Sequence, residues 1–382
     1  MSTGPDVEPL CAPQDVTTRD SQYYKADGNV VLRAEDVLFQ AHRSALSELS
    51  PVLKNMLELP QGVEATGEGC GDSCPVVLAG DTAEEVRSLL WAVYSRADEV
   101  ALYLKTTAFN AQCLRLLQVV VLAHKYDVPQ LMQWAFTTVR SQSKAHPRFT
   151  PPVATTTYLV RLHSLKVPGA TLWADGIIKT AYTGNGSGLL SVTRVLAPGA
   201  WTSLEHWLYY RLLCLGTNSW KTLSLTDSER TRLLAGYHNL RELWAKISTE
   251  RLRMGHHCPT DVRATCSANC LKLWLELCSA SAGATPTAFV DLTGRMRWIS
   301  TALASFIRKR QSVLSFHDQV MGVTQPKPAL SSFAEAILKS IHCLQDFMTA
   351  AEAVERDIEK NALRCLDPTI GLIDHTSCTL PL

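Results

Sequence analysis

The spacing of apolar residues along the chain changes character twice. From about Tyr23 to Ala41 the apolar positions come in short runs separated by turn residues such as Asp27-Gly28-Asn29. Val30-Val31-Leu32-Arg33 and Val37-Leu38-Phe39-Gln40-Ala41 are β-type runs. With the polar link Ala34-Glu35-Asp36 between them they predict a hairpin. At His42 the period lengthens to that of a helix, with Leu46 and Leu49 on one face. Ser50-Pro51 predicts a new helix start, Ser as cap and Pro in the first turn, followed by Val52, Leu53, Met56 and Leu57. A Gly-rich stretch over 60–75 predicts a loop, and Val76-Val77-Leu78 a third strand. Asp81-Thr82-Ala83-Glu84 opens a helix to Tyr94, its early acids favourable to the helix dipole. Two more helices are predicted. Asn110–Tyr126 has Leu114, Leu117, Val120, Val121 and His124 inward, and Pro129–Ser141 has Leu131, Trp134, Ala135 and Val139 inward. The expected core of this region is Val31, Leu38, Phe39, Leu46, Leu53, Met56, Leu78, Leu89, Leu117 and Val120.

Past a Pro/Thr-rich stretch every segment predicts helix or loop. The helices are Tyr158–Leu165, Ala170–Ala181, Ser203–Leu215, Asp227–Met254, Ala268–Ser279, Thr287–Val313 and Ser331–Leu363, and Thr183–Gly188 is a loop. The last helix carries Ile337, Ile341, Leu344, Met348, Ala351, Val354 and Ile358 in one stripe. That stripe fits a core helix of a bundle better than a coiled-coil face. The expected division is a disordered segment 1–20, an α+β domain 21–142, a linker 143–157 and an all-helical region 158–382.

Charge supports that division. The total is 37 Lys+Arg against 36 Asp+Glu, but residues 1–142 hold 11 basic and 18 acidic residues, leaving 26 and 18 for the rest. The balance is therefore −7 in front and +8 behind. A hydrophobic content of 46% is enough for two cores and excludes a disordered chain. Apolar runs such as Val119–Ala123 fall far short of the ~20 residues that a membrane span needs, and the first residues lack a signal-peptide pattern. An intracellular protein, cytoplasmic or nuclear, is expected, with no membrane partner and with its 12 cysteines as reduced thiols. Cys70 and Cys74 have disulfide spacing, which a reducing compartment disfavours.

Four motifs in order carry a resemblance. Phe39-Gln40-Ala41-His42-Arg43-Ser44-Ala45-Leu46 is similar to the "F-x-A-H-(R/K)-x-x-L" junction of BTB/POZ domains. Ser50-Pro51-Val52-Leu53-Lys54-Asn55-Met56-Leu57 resembles their "S-P-x-F-x-x-M-F" helix, and Leu89–Tyr94 their "L-L-x-x-(L/I)-Y" helix end. Leu117–Leu131, with Ala123, Lys125, Tyr126, Val128 and Leu131, resembles "L-x-x-A-x-K-Y-x-(V/I)-x-x-L". The resemblance covers about 120 of 382 residues, and within the family the chain looks most like the BTB proteins of mushroom-forming fungi. It implies a BTB/POZ fold, a small β-sheet capped by helices, followed here by an all-α region. It further implies a non-enzymatic interaction module that homodimerises through roughly Val30–Leu49 and recruits partners. In many members an acidic residue entering the first strand pairs with a basic one after the junction His. Arg43 fits the basic position, whereas Asn29 stands at the acidic one with Asp27 nearby. A cullin scaffold, bound by some members through a hydrophobic-x-Glu element, is a further implied partner, with Ala97-Asp98-Glu99 as the weak match. The implied interaction residues are Asp27, Val31, His42, Arg43, Leu46 and Glu99.

No catalytic frame or cofactor is expected. Gly184–Gly188 follows no strand and lacks the Lys of a P-loop. His42 has no ligand or acid partner at a useful spacing, so it is expected to pack and hydrogen-bond at the strand–helix junction. His256-His257-Cys258, Cys266, Cys270 and Cys278 form the one metal-like cluster. Its Cys-x7-Cys-x3-Cys-x7-Cys spacing lacks paired CxxC, so buried thiols are expected rather than zinc. Arg308-Lys309-Arg310, with Arg295 and Arg297 upstream, is the densest basic cluster. It is expected to be a solvated helix face; a nuclear regulator binding nucleic acid is the last-ranked alternative, since no zinc-finger or helix-turn-helix signature accompanies it.

Overall fold

A polar strand that the apolar spacing does not announce opens the fold. In the computed structural model, which describes residues 17–58, 69–249, 252, 254–283, 290–312, 334 and 343–361, β1 spans Thr18–Tyr24. Only Asp20 and Tyr23 of this edge strand are buried, which is why it reads as polar. The expected disorder of 1–20 is therefore corrected at 18–20, while 1–16 lie outside the described residues. With β2 (Val30–Ala34), β3 (Val37–Ala41) and β4 (Val76–Val77) it forms a sheet of order β1-β3-β2-β4. The β2–β3 ladder is antiparallel with Ala34 opposite Val37, so the link is a two-residue turn rather than three, with Glu35 at φ 54°. β1 runs parallel to β3, and β4 parallel to β2. Consecutive residues of β2 and β3 are buried, as in strands covered on both faces.

The helices that follow explain the motifs. After α1 (Arg43–Leu49), Ser50 accepts the Leu53 N–H at 3.0 Å, starting α2 (Pro51–Glu58), and donates its hydroxyl to the Tyr126 carbonyl at 2.5 Å. α2 buries Leu53 and Leu57; Met56, expected in the core, is half-buried. The other expected core residues are buried. Thr82 and Glu85 form a capping box at the start of α3 (Ala83–Tyr94). α4 (Ala97–Thr106), which the sequence reading did not assign, has no fully buried residue, and its apolar stripe is the half-buried Val100, Tyr103 and Leu104. α5 (Phe109–Lys125) is the central helix, buried continuously from Leu116 to Ala123 because α3, α6 (Pro129–Lys144) and α7 (Val153–Ser164) all pack on it. Two inward assignments are corrected: His124 is exposed past the packed length, and Trp134 is 36% exposed while Phe136 turns inward.

The chain divides into two compact units, residues 1–181 and 182–382. That boundary lies beyond the expected linker, because the Pro/Thr stretch supplies the first turns of α7. Its threonines look polar, yet Thr155 and Thr156 are buried against the unit, and the Thr156 hydroxyl bonds back to the Pro152 carbonyl at 3.1 Å. The first unit closes with α8 (Ala170–Tyr182).

The second unit is helical throughout its described residues. The expected Gly loop is shortened, because Asn185 accepts the Gly188 N–H at 3.0 Å and caps α9 (Gly186–Val195). There follow α10 (Thr202–Cys214), α11 (Thr217–Trp220), α12 (Asp227–Thr249), α13 (Arg263–Ala280), α14 (Leu292–Ser312) and α15 (Leu344–Asn361). Trp274, Phe347, Leu273, Leu277, Met296 and Ile299 fill its core. The architecture of the whole is α+β, with no described helix long and apolar enough to cross a membrane. Ile337 and Ile341 of the expected last stripe lie outside the described residues, while Leu344, Met348, Ala351, Val354 and Ile358 lie on α15.

Candidate functional site

The residues expected to face a partner divide sharply by burial. Val31 is 3% and Leu46 1% exposed, so their side chains serve the core. His42 ends β3 and sits at the junction as a hydrogen-bonded residue. Its Nδ1 lies 3.1 Å from the Tyr94 hydroxyl, which also accepts the His42 backbone N–H at 3.0 Å. Its Nε2 lies 3.3 Å from the exposed Asp27 carboxylate. The Asp27 carboxyl is held below its usual range by its own backbone N–H and then by His42. Asn29, where the resemblance implies an acid, accepts the Arg43 backbone N–H at 2.7 Å and so caps α1. The Arg43 guanidinium donates to the Leu57 carbonyl, tying α1 to α2 instead of meeting a carboxylate. Glu99 accepts the Arg96 N–H at 3.0 Å at the start of α4, with half of its side chain exposed.

The motif residues Lys125 and Tyr126 have a defined task. Lys125 Nζ lies 2.6 Å from one oxygen of the buried Asp81, and the Tyr126 hydroxyl donates to the other. The end of α5 is thereby fastened to the residue that leads into α3. Burial, first, and the Asp81 carboxylate push the Tyr126 hydroxyl far above its usual pKa.

An aromatic face lies on α3, α4 and α6. The buried Trp91 ring has Tyr103 at 5.0 Å and Trp134 at 6.4 Å, and the Arg115 guanidinium stacks over Trp91 at 5.3 Å and Tyr103 at 4.8 Å. Trp134, at 36% exposure, gives this face an apolar surface. Sequence reading placed Trp134 inside and assigned no helix to 97–106, so the face was missed. The apolar run Val100-Ala101-Leu102-Tyr103-Leu104 is its faint trace.

The second unit holds a cluster of soft donors. His256, Cys258, Cys266 and Cys343 offer one ligand atom each, all within 4.8 Å of one another. Cys258 and His256 come from the irregular stretch before α13, Cys266 from the first turns of α13, and Cys343 from the residue before α15. The three thiols are buried and the imidazole half-buried, with its Nδ1 3.9 Å from the Cys258 sulfur. Of the four cysteines singled out in sequence, two belong to this group. Cys270 is buried one turn beyond Cys266, its thiol pushed up to about 12 by burial and then by Cys266. Cys278 lies elsewhere, beside Arg295. Cys343 is too far along the chain for any spacing rule to have included it.

Arg295 leaves the expected basic face altogether. It is 4% exposed, donating to the Ser281 hydroxyl at 3.0 Å and the Cys278 carbonyl at 2.7 Å, with its guanidinium 3.9 Å from the Trp244 ring centre. Arg297 is exposed, and the side chains of Arg308, Lys309 and Arg310 lie outside the described residues. Compared with models of known protein families, with curated proteins and with solved structures, the chain matches none.

Proposed function

We propose that this chain is a protein–protein interaction protein whose first unit acts as a BTB/POZ-type module for self-association and partner recruitment. The observation that carries the reading is the aromatic face: the exposed Trp134 beside a Trp91–Tyr103–Arg115 stack is the composition of an interaction hot spot. The resemblance motifs add support, since Phe39, Leu46, Leu53, Leu90, Ala123 and Tyr126 are all buried within one unit built of a small sheet and helices. On this reading the half-exposed surface of α1, with Arg43 and Glu48, contributes to a homodimer, and the α4–α6 face receives other proteins.

Light scattering on the full chain is expected to give a dimer mass; a strict monomer at high micromolar concentration removes self-association. Proximity labelling comparing the wild type with a folded Trp134→Ala variant is expected to lose a defined set of partners, by about tenfold or more. Identical partner sets for the two proteins remove the recruiting role of the face. A narrower reading, a cullin adaptor, is favoured by Glu99, which stands half-exposed one turn before the exposed Leu102. Glu99→Ala is then expected to abolish co-purification of a cullin, and no cullin with the intact protein rejects it.

A further inference from the structure

We propose that His256, Cys258, Cys266 and Cys343 bind one zinc ion as a structural centre of the second unit. Tetrahedral zinc with zinc–sulfur bonds of about 2.3 Å places its donors about 3.8 Å apart along each edge. The four donor atoms, already within 4.8 Å of one another, need shifts of about 1 Å or less, the scale of small side-chain rotations. Three sulfurs and one imidazole nitrogen, with no carboxylate among them, select a borderline-soft ion over magnesium or calcium. Four protein donors fill a tetrahedron and leave no open position for substrate, so the role is structural. Binding releases the three thiol protons to solvent, and no electron changes hands.

A second observation places the donors as a built set. His257, next to His256, holds its Nδ1 2.9 Å from the Asp346 carboxylate on α15, three residues after Cys343. This bond presses the irregular stretch onto the start of α15, which is the geometry that brings His256 and Cys258 to Cys343. The ion would join three segments of which the first and last ligands are 87 residues apart in sequence (343 − 256). Such a link is strong because it closes a long loop. It would also order a connection that has no regular secondary structure from 254 to 259. Cys266 has a second thiol, Cys270, one turn beyond it on the same helix, whereas Cys258 and Cys343 have no such neighbour within one helical turn. Cys258 and Cys343 are therefore the decisive positions to change.

The test uses the full chain, untagged, purified from zinc-supplemented cells without chelator. Elemental analysis is expected to find about one zinc per chain, and exchange with cobalt is expected to give the intense visible bands of a tetrahedral thiolate site. Cys258→Ser and Cys343→Ser are expected to lower bound zinc by about tenfold, while Cys70→Ser, in the first unit, leaves it unchanged. The proposal is overturned if folded wild-type protein holds less than about a tenth of an equivalent and shows no thiolate–cobalt bands. It is equally overturned if both variants retain full zinc, or if peptide mapping of freshly lysed cells finds two of the three cysteines joined in a disulfide. The cobalt spectrum of the wild type decides the matter even where a variant fails to fold.

Discussion

The two units bury charge in opposite ways. In the first, carboxylates go inside and each meets a cation from a distant part of the chain. Asp20 lies 2.5 Å from Arg87, Asp81 lies 2.6 Å from Lys125, and Glu85 pairs with Arg161. Those carboxylate side chains are 2% exposed or less, while their cations reach to the surface. Among the described residues of the second unit the buried charge is a cation, Arg295, which donates to a hydroxyl and a carbonyl and lies against an indole face. A buried carboxylate needs its countercharge, because removing the partner strands an ion in a medium that solvates it poorly. A guanidinium, weakly hydrated and planar, is accommodated by stacking and neutral acceptors. The acidic balance of the first part and the basic balance of the second thus extend into their interiors.

This contrast can be broken most severely at Glu85. Arg161→Ala leaves a fully buried carboxylate without its cation and removes one anchor of α7; a loss of about 3 kcal/mol is expected in denaturant unfolding. Glu85→Gln in the same background should recover part of it, since the amide needs no countercharge. Recovery of nothing would place the effect in lost packing of α7. Next in size is Arg295→Met, which keeps the length of the side chain over Trp244 but drops two hydrogen bonds; about 2 kcal/mol is expected, with little dependence on salt. A strong salt dependence would show that Arg295 answers to a charge rather than to neutral groups.

The surface of the second unit sharpens the comparison by pH. Arg194 holds Glu229 in a two-point pair at 2.9 Å, and with the Thr226 N–H this lowers the Glu229 carboxyl to about 2. A folded pKa below the unfolded one stabilises the protein above the ordinary carboxylate range and loses that stabilisation as pH falls toward about 2. Asp20 acts in the same direction in the first unit. Burial opposes its ionisation, but Arg87 and the Tyr23 and Gln22 N–H groups outweigh burial and lower its pKa. Arg194→Ala is expected to flatten the acid side of the stability profile. An unchanged slope between about pH 5 and 2 would remove Glu229 from the account. A local effect is expected at Gly69, whose φ of +84° and neighbours Val30 and Val76 leave no room for a Cβ atom. Gly69→Ala should cost about 1–2 kcal/mol and weaken the bond from the Val31 N–H to the Gly69 carbonyl, read by hydrogen exchange at Val31.

Much of the first unit was legible in the chain because its signals are local. The hairpin, the Ser50-Pro51 helix start, the capped start of α3 and the apolar run of α5 follow from turn chemistry, caps and period, all properties of neighbouring residues. Strand β1 was not legible, because a polar edge strand exists only by pairing with β3. Nor was the true end of the unit, since α7 draws its burial from α5 and its anchor from Glu85, both far away in sequence.

The candidate sites follow the same rule. The sequence by itself determined that His42 sits at a strand–helix junction, that the cysteines gather after residue 257, and that acidic and basic residues segregate between the two parts of the chain. Only the tertiary structure decided that Val31 and Leu46 face inward, that Trp134 faces outward, and that Arg295 leaves the surface for the side of Trp244. It alone left Cys270 and Cys278 out of the donor cluster and brought Cys343 into it. Spacing along a helix constrains residues three or four apart, whereas a ligand set closes through space, and no local rule carries the 77 positions from Cys266 to Cys343 (343 − 266).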